Sequence, residues 1–221
     1  NKTKYPGVKF GNNVLIGKNV KIGKSSEIGS NTIIEQNTLI GKNCKIGAQI
    51  MIKNSVIGND VVIQDGAKIG LKGFGFIPLK EKNFRFPHIG RVILEDNVEI
   101  GALCTIDAGV TGTTVIGKGT KMDNQVHVGH DCLIGENCLF AAQVGIAGCV
   151  IIEDDVTLWG QVGVAADLTI GKGAVVLGQS GLSKSIEGNK TYLGSPVGEA
   201  RLKFRELAAV RKLPVVIEKL N

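Results

Sequence analysis

The chain has 221 residues, a formal net charge of +6 and a pI near 9.1. It contains 31 glycines but only seven Phe, two Tyr and one Trp, too few aromatics for a nucleic-acid stacking surface. No apolar run reaches the roughly 18 residues that span a bilayer, and no secretory signal opens the sequence. We therefore expect a cytoplasmic protein without membrane spans, whose positive charge suits an acidic partner or an anionic substrate.

Aliphatic residues recur at every sixth position in the first part of the chain. A glycine follows most of them, and two polar residues and one small residue come next. Strand side chains point alternately inward and outward, and corners need residues that tolerate unusual dihedrals, such as Gly and Asn. The pattern predicts two-residue strands joined by tight corners. The repeating residues are Phe10, Ile16, Ile22, Ile28, Ile34, Ile40, Ile46 and Ile52.

The sixfold pattern stops after Ile69 and returns at Leu94. Residues 71–88 carry four phenylalanines and two prolines but no repeat. Long excursions from a rigid scaffold are usually functional or disordered, and the aromatic content argues against disorder. We expect this loop to fold back over a neighbouring surface. The alternative is a hydrophobic patch that only seals the coil.

A longer period of eighteen residues appears in the second half. Gln125 recurs as Gln143, Gln161 and Gln179, with valine or serine after each. A period of six nested three times in eighteen predicts a triangular coil with three short strands per turn, extending over residues 1–188. In such a coil His130 stands level with Gly148 and Ala166 on the next turns. A histidine beside stacked small residues predicts the floor of a groove.

Residues 189–221 carry no hexads and form the second expected unit, a turn followed by a helix. Ser195 with Pro196 behind it is a typical helix start, and Pro214 should end or kink the helix. Four of the five cysteines occupy the small inward position of a hexad, which predicts buried, reduced thiols. No CxxC pair is present, the three histidines lack a zinc-site spacing, and no metal is expected. These cysteines are Cys44, Cys104, Cys132 and Cys138.

Several segments resemble one family of hexapeptide acyltransferases, the bacterial UDP-3-O-acylglucosamine N-acyltransferases. They are residues 72–76 (KGFGF), 87–93 (PHIGRVI), 96–102 (DNVEIGA), 123–125 (DNQ), 145–148 (GIAG) and 194–196 (GSP). The resemblance implies a left-handed parallel β-helix with a short C-terminal α-helix, assembled as a homotrimer. It also implies an N-terminal uridine-binding domain, whereas this chain begins with the repeats.

The resemblance implies transfer of a (hydroxy)acyl chain from acyl carrier protein to the 2-amino group of a UDP-linked glucosamine, in lipid A biosynthesis. The donor is acyl-phosphopantetheine on the carrier, and no further cofactor is expected. The family's catalytic histidine falls on His130, a general base. Asp123 or Asp131 would orient its ring, with Asn124 in support. Substrate and acyl contacts are expected from Phe74, Phe76, His127, Gly148, Trp159, Ala166 and Asp167.

Three positions depart from the family pattern. Asp167 stands where a second active-site histidine is usual, Ala108 replaces an arginine, and Trp159 stands where glycine is common. Two other functions are therefore considered. One is a sugar O-acyl- or acetyltransferase on the same scaffold, and the other is an inactive scaffold paralogue. Retention of His130 favours an enzyme.

Overall fold

A computed structural model of the protein describes residues 4–218. The outermost residues of the two predicted units, 1–3 and 219–221, lie outside this range. The hexads form short strands on three faces of the coil. Within each face the strands are parallel, and each pairs with the strand one coil away, as Lys9 pairs with Glu27 and Phe10 with Ile28. The prediction of a left-handed parallel β-helix is confirmed. Successive coils therefore lie about 4.8 Å apart, the spacing of hydrogen-bonded strands.

Each of the three faces is a stack of short strands. The first comprises Lys9–Phe10, Glu27–Ile28, Lys45–Ile46, Val62–Ile63, Glu99–Ile100, Lys121–Met122, Leu139–Phe140, Thr157–Leu158, Val175–Val176, Thr191–Leu193 and Gly198–Glu199. The second comprises Leu15–Ile16, Ile33–Ile34, Met51–Ile52, Lys68–Leu71, Thr105–Asp107, His127–Val128, Gly145–Ile146, Gly163–Val164 and Gly181–Leu182. The third comprises Lys21–Ile22, Leu39–Ile40, Ser55–Ile57, Arg91–Leu94, Thr113–Ile116, Leu133–Ile134, Ile151–Ile152 and Thr169–Ile170.

The core is a column of aliphatic side chains enclosed by small residues. The second residue of nearly every strand is buried, and the small inward position holds buried valine, serine, threonine or cysteine. The next coil satisfies several polar atoms there: Thr32 Oγ1 donates to the Gly47 carbonyl at 2.9 Å, and Cys44 Sγ to that of Gly58 at 3.1 Å. Thr38 Oγ1 has no partner among residues 4–218. The four thiols predicted to be buried are buried, and the fifth, Cys149, is exposed.

The residues that adopt the left-handed backbone at the corners differ from the prediction. Left-handed backbone is carried mostly by Asn, Asp and Gln, as at Asn19 with φ 58°, rather than by the glycine after each aliphatic residue. Gly23 is needed for space instead, because a Cβ there would lie 2.5 Å from the Gly41 carbonyl carbon. The corner amides also stack, and Gln143 Nε2 donates to Gln125 Oε1 at 2.9 Å. The same bond links Gln161 and Gln179 to the coil before each.

The insertion is a β-hairpin that stands out from the coil. Phe76–Pro78 pairs antiparallel with Asn83–Arg85, and the Arg85 guanidinium lies 4.2 Å from the centre of the Phe76 ring. Asn54 Nδ2 ties its base to the coil by donating to the Gly90 carbonyl at 2.6 Å. All four phenylalanines of the insertion are at least 38 % exposed. They do not seal the coil, so the alternative interpretation of this segment is wrong.

The C-terminal region differs from the prediction in one respect. Thr191–Leu193 still pairs with the coil, and Gly198–Glu199 folds back antiparallel against it. Ser195 and Pro196 lie in the turn between these strands, so the predicted helix start at Ser195 is wrong. Helix α1 spans Ala200–Val210 and α2 spans Leu213–Glu218, with Pro214 in the first turn of α2. Among residues 4–218, no helix combines the length and apolarity that crossing a bilayer requires.

The inward and outward residues of one strand provide a stability test. Ile40 is buried and its neighbour Leu39 is partly exposed. We expect Ile40→Ala to lower the free energy of unfolding by about 2–5 kcal/mol, since it leaves a cavity between coils. Leu39→Ala should cost about 0.5 kcal/mol. Urea denaturation followed by circular dichroism measures both. Equal losses would contradict the inward and outward assignment.

Candidate active site

His130 lies in the corner between the second and third faces, just after the strand His127–Val128. Its imidazole fits there because the next coil has no side chain beneath it. A Cβ on Gly148 would lie 2.6 Å from His130 Nε2, so any residue other than glycine would displace the ring. The predicted stacking of His130 over a small residue is therefore present, and it directs Nε2 toward an open cavity.

Asp131 is the carboxylate that holds this ring. Its Oδ2 lies 2.9 Å from His130 Nδ1 and also accepts the backbone N–H of Val110 at 2.9 Å. Its own backbone N–H donates to Thr114 Oγ1, also at 2.9 Å. Residues 110–114, which interrupt the hexads, thus fix the carboxylate. A carboxylate bound to Nδ1 keeps the proton on that nitrogen and leaves Nε2 as a proton acceptor.

Asp123 and Asn124 lie at the other end of the second-face strand, in the preceding corner. Asp123 Oδ1 accepts the N–H of Asn124, and Asn124 Oδ1 accepts the N–H of Ala102. Both side chains accept backbone N–H groups of the corners, and neither contacts His130. Of the two carboxylates that the sequence left open, the structure brings Asp131 to the imidazole.

A cavity of about 310 Å³ opens beside His130. It contains five of the predicted contact residues, namely Phe74, His127, Gly148, Ala166 and Asp167. The remaining lining residues are Asp107, Gly129, Ala147 and Cys149.

Two predicted contacts lie outside this cavity. Phe76 packs edge-on against Phe74, with ring centres 5.3 Å apart, and so contacts a residue of the cavity lining without lining the cavity itself. Trp159 is 51 % exposed and follows a first-face strand, at the corner position that Asp123 holds two coils earlier. Its indole does not line the cavity. The structure therefore brings together the loop, the histidine corner and the small residues, but not the tryptophan.

Asp107 is a site residue that sequence reasoning missed. Its side chain is only 7 % exposed, and Oδ2 lies 3.7 Å from His127 Nε2. Burial raises the pKa of this carboxyl, while the neighbouring histidines and Arg85 act in the opposite direction. A carboxylate kept in a pocket that disfavours its charge marks a functional site more often than a structural one. An acidic residue directly after the buried Ile106 was the available signal.

His88 is the second missed residue. Its ring centre lies 5.3 Å from that of His130, at an interplanar angle of 76°. His88 Nδ1 lies 3.1 Å from the Phe86 carbonyl, which can only accept, so Nδ1 carries the proton. The buried Nε2 atom then carries a lone pair, and it has no hydrogen-bond partner among residues 4–218. A Cβ on Gly73 would lie 3.1 Å from both His88 Nε2 and Asp107 Oδ2, which explains the glycine there.

His88 also lines a second cavity of about 560 Å³ at the base of the hairpin. Its wall includes Lys53, Lys72 and Arg85, with one acidic residue, Glu35, which pairs with Lys53 at 2.8 Å. This cavity is therefore suited to anionic groups. A depression of about 590 Å³ on the first face, between Lys9 and Lys45, is larger but has no histidine in its lining. We place the site at His130, where base, carboxylate and cavity meet.

Comparison with known proteins supports the repeat fold. Residues 7–42 and 113–148 match the bacterial transferase hexapeptide family, and residues 31–70 match the hexapeptide repeat of succinyl-transferase. The UDP-3-O-acylglucosamine N-acyltransferase 1 of Gloeobacter violaceus is 49 % identical over 165 residues, covering 75 % of this chain and 47 % of the relative. That of Bradyrhizobium diazoefficiens is 52 % identical over 101 residues, covering 45 % and 28 %.

Among solved structures, the UDP-N-acetylglucosamine acyltransferase of Francisella novicida superposes with a TM-score of 0.77 at 28 % identity. The alignment covers 84 % of this chain and 66 % of that one. The Bacteroides fragilis enzyme of the same name gives a TM-score of 0.65 at 28 % identity, covering 88 % and 72 %.

The chain is thus a hexapeptide-repeat protein. Its curated homologues are named UDP-3-O-acylglucosamine N-acyltransferases. It spans about half the length of the curated relatives it matches, or less.

The buried carboxylate of Asp107 yields a prediction about stability and pH. Because its folded pKa is raised, ionising Asp107 costs the folded state free energy. That cost is absent below the unfolded pKa, about 3.9, and fully present above the folded pKa. Asp107→Asn should therefore raise the melting temperature at pH 7–8, and the gain should shrink as the pH falls toward 4.

Thermal scans across this pH range measure the effect. Asp155→Asn is the control, because Asp155 is an exposed corner residue paired with Lys172 and its loss should give no gain. If Asp107→Asn lowers the melting temperature at neutral pH, the histidines and Arg85 outweigh the burial of the carboxylate.

Proposed function

We propose that this chain is the catalytic β-helix of an acyltransferase that moves a (hydroxy)acyl chain from acyl carrier protein to the 2-amino group of a UDP-linked glucosamine. The observation that carries this proposal is the pairing of His130 Nδ1 with Asp131 Oδ2 at 2.9 Å. It leaves Nε2 as an acceptor facing a cavity, which is what a general base needs. The curated relatives are named as N-acyltransferases of this type.

In the proposed reaction the sugar amine attacks the carbonyl carbon of the donor thioester. A nitrogen–carbon bond forms, and His130 Nε2 takes the proton that the amine nitrogen loses. Collapse of the tetrahedral intermediate breaks the carbon–sulfur bond, and the imidazolium returns its proton to the leaving thiolate. Asp131 stabilises the imidazolium in between. The products are an amide and the free thiol of the carrier.

The two cavities beside His88 suit the two substrates. The cavity at His130 has Phe74 and small residues in its wall, beside the polar groups of Asp107, His127 and Asp167. The apolar part fits the thioester end of an acyl chain. The basic cavity with Lys53, Lys72 and Arg85 fits the phosphates of a UDP-sugar, since lysine and arginine are the usual phosphate partners. Asp167 is assigned to the donor channel, where it would contact a polar group of the acyl chain.

Transfer to a hydroxyl group is the second candidate. The Francisella and Bacteroides structures are named UDP-N-acetylglucosamine acyltransferases. A base that accepts a proton from an amine also accepts one from an alcohol, so His130 does not distinguish the two acceptors. The relatives with the higher identity, at 49 % and 52 %, carry the N-acyltransferase name, and they favour the amine.

Substitutions at the His130–Asp131 pair test the base. His130→Ala should lower kcat by about 10²–10⁴-fold, the usual contribution of a positioned base, with little change in melting temperature. Asp131→Asn should also lower kcat, because an amide that donates to Nδ1 favours the wrong tautomer. The assay uses a hydroxyacyl carrier protein with a UDP-2-amino sugar, and the matching UDP-2-hydroxy sugar as the second acceptor.

Asp123→Asn is the matched control, because this carboxylate serves the neighbouring corner and should leave kcat near the parent value. A His130→Ala protein that turns over like the parent would overturn the assignment of the base. A parent that transfers only to the hydroxyl sugar would establish the second candidate instead.

We also propose that the protein acts as a homotrimer. Exposed apolar side chains lie on the hairpin and along α1, including Phe74, Phe84, Leu202 and Phe204. Apolar surface of this kind is commonly covered by further copies in closed cyclic symmetry. The basic residues of α1, Arg201 and Lys203 among them, would then be available to guide an acidic carrier protein.

Light scattering measures the assembly directly. We expect the mass of three chains at micromolar concentration. Changing Arg201, Lys203 and Arg205 to Glu should raise the KM for the carrier protein, and the increase should be larger at low salt. A single-chain mass across the concentration range would contradict the trimer. It would leave the His130–Asp131 pair, which lies within one chain, unaffected.

A further inference from the structure

Cys149 differs from the other cysteines in its place and its neighbours. It is exposed, and it occupies the left-handed corner position that Asp131 holds one coil before and Asp167 one coil after. Backbone hydrogen bonds keep the three corners in register: Cys149 N–H donates to the His130 carbonyl at 2.9 Å, and Asp167 N–H to that of Gly148 at 3.2 Å. The thiol therefore lies in a column between two carboxylates.

His130 adjoins the same column. Three possible metal-ligand atoms, one each from His130, Asp131 and Cys149, lie within 4.8 Å of one another. Bonds of about 2.0 Å to nitrogen or oxygen and 2.3 Å to sulfur place tetrahedral zinc ligands roughly 3–4 Å apart. A shift of about 1 Å in the side chains would close this set around an ion. The Asp167 carboxylate lies beside the Cys149 thiol, outside this set of three.

We infer that His130, Asp131 and Cys149, with Asp167 as fourth donor, form a binding site for Zn²⁺ or a similar thiophilic divalent cation. Imidazole, thiolate and carboxylate are the donors that zinc uses in proteins. All four side chains come from corners of consecutive coils, whose backbone positions are fixed by the coil-to-coil hydrogen bonds.

The charges of the column favour a cation. Asp131 and Asp167 hold the corner positions on either side of Cys149, and a divalent ion would neutralise both carboxylates and bind the thiolate.

Binding at this site would inhibit the enzyme, and this part of the inference rests on the proposed function. A metal ion held by Asp131 and His130 competes for the hydrogen bond between them. The imidazole then no longer has an oriented, free Nε2. The same ion would narrow the cavity at Gly148 and Ala166. The site would thus make acyl transfer sensitive to free zinc.

Metal binding is tested without any activity assay. Tag-free protein is titrated with Zn²⁺ against a chromophoric chelator, and with Co²⁺ as a spectroscopic probe. We expect one ion per chain and a thiolate-to-cobalt charge-transfer absorption with the intense visible bands of tetrahedral Co²⁺. Cys149→Ala should remove the charge-transfer band and weaken zinc binding at least tenfold, and His130→Ala should also weaken it.

Asp155→Asn is the control, because it removes a carboxylate from an exposed acidic corner that has no cysteine or histidine. It should leave zinc affinity unchanged. The inference is overturned if no stoichiometric ion binds, if the cobalt spectrum lacks the thiolate band, or if Cys149→Ala binds zinc like the parent.

The activity arm separates the two proposals. Zinc should inhibit acyl transfer by the parent, and a chelator should reverse the inhibition. Cys149→Ala, measured against its own metal-free rate, should need at least tenfold more zinc for the same fractional inhibition. A parent that binds zinc but transfers no acyl group would contradict the proposed function alone. Zinc that binds through Cys149 without slowing transfer would contradict only the inhibition.

Discussion

The stacking of coils by backbone hydrogen bonds is the constraint on which the rest of the structure depends. Strand N–H groups donate to the next coil, as Lys9 N–H does to the Ser26 carbonyl at 2.9 Å, and corner N–H groups donate to the coil before, as Cys149 N–H does to the His130 carbonyl. This register places residue i beside residue i+18, and it requires side chains of matching size at each level. Glycine appears where one coil crosses close above another, and His130 uses the space that Gly148 leaves. The spacing between coils thus determines both the fold and the place available to the His130 ring.

Much of the fold could be predicted because the period of six identifies which side chains point into the coil and which point outward. The period alone also places His130 beside Gly148 and Ala166. Residues outside the period could not be placed in this way. His88 reaches the site from the hairpin and Asp107 from the end of a strand, and both positions depend on contacts between distant segments. The helix start was misplaced because Ser195 and Pro196 serve equally well in a strand-to-strand turn.

The site concentrates ionisable groups around one buried carboxylate. Asp107 has His127 at 3.7 Å, and Gly73 brings His88 and His130 close to it. The free energy that favours folding comes from the coil, and the site holds groups that oppose it in part. Such local cost is typical of positions kept for chemistry rather than for packing. It also explains why the loop contributes glycines at Gly73 and Gly75, where any side chain would collide with a histidine.

The glutamine ladder gives the coil a direction. Each amide nitrogen donates to the oxygen of the coil before it, from Gln179 through Gln161 and Gln143 to Gln125. Hydrogen bonds in a chain polarise one another, so the ladder is a dipole parallel to the axis, with its donor end at Gln125. An eighteen-residue duplication would add one rung and preserve that alignment, whereas any other insertion would break it. The ladder therefore favours lengthening by whole coils in the part of the chain that it spans, between Gln125 and Gln179.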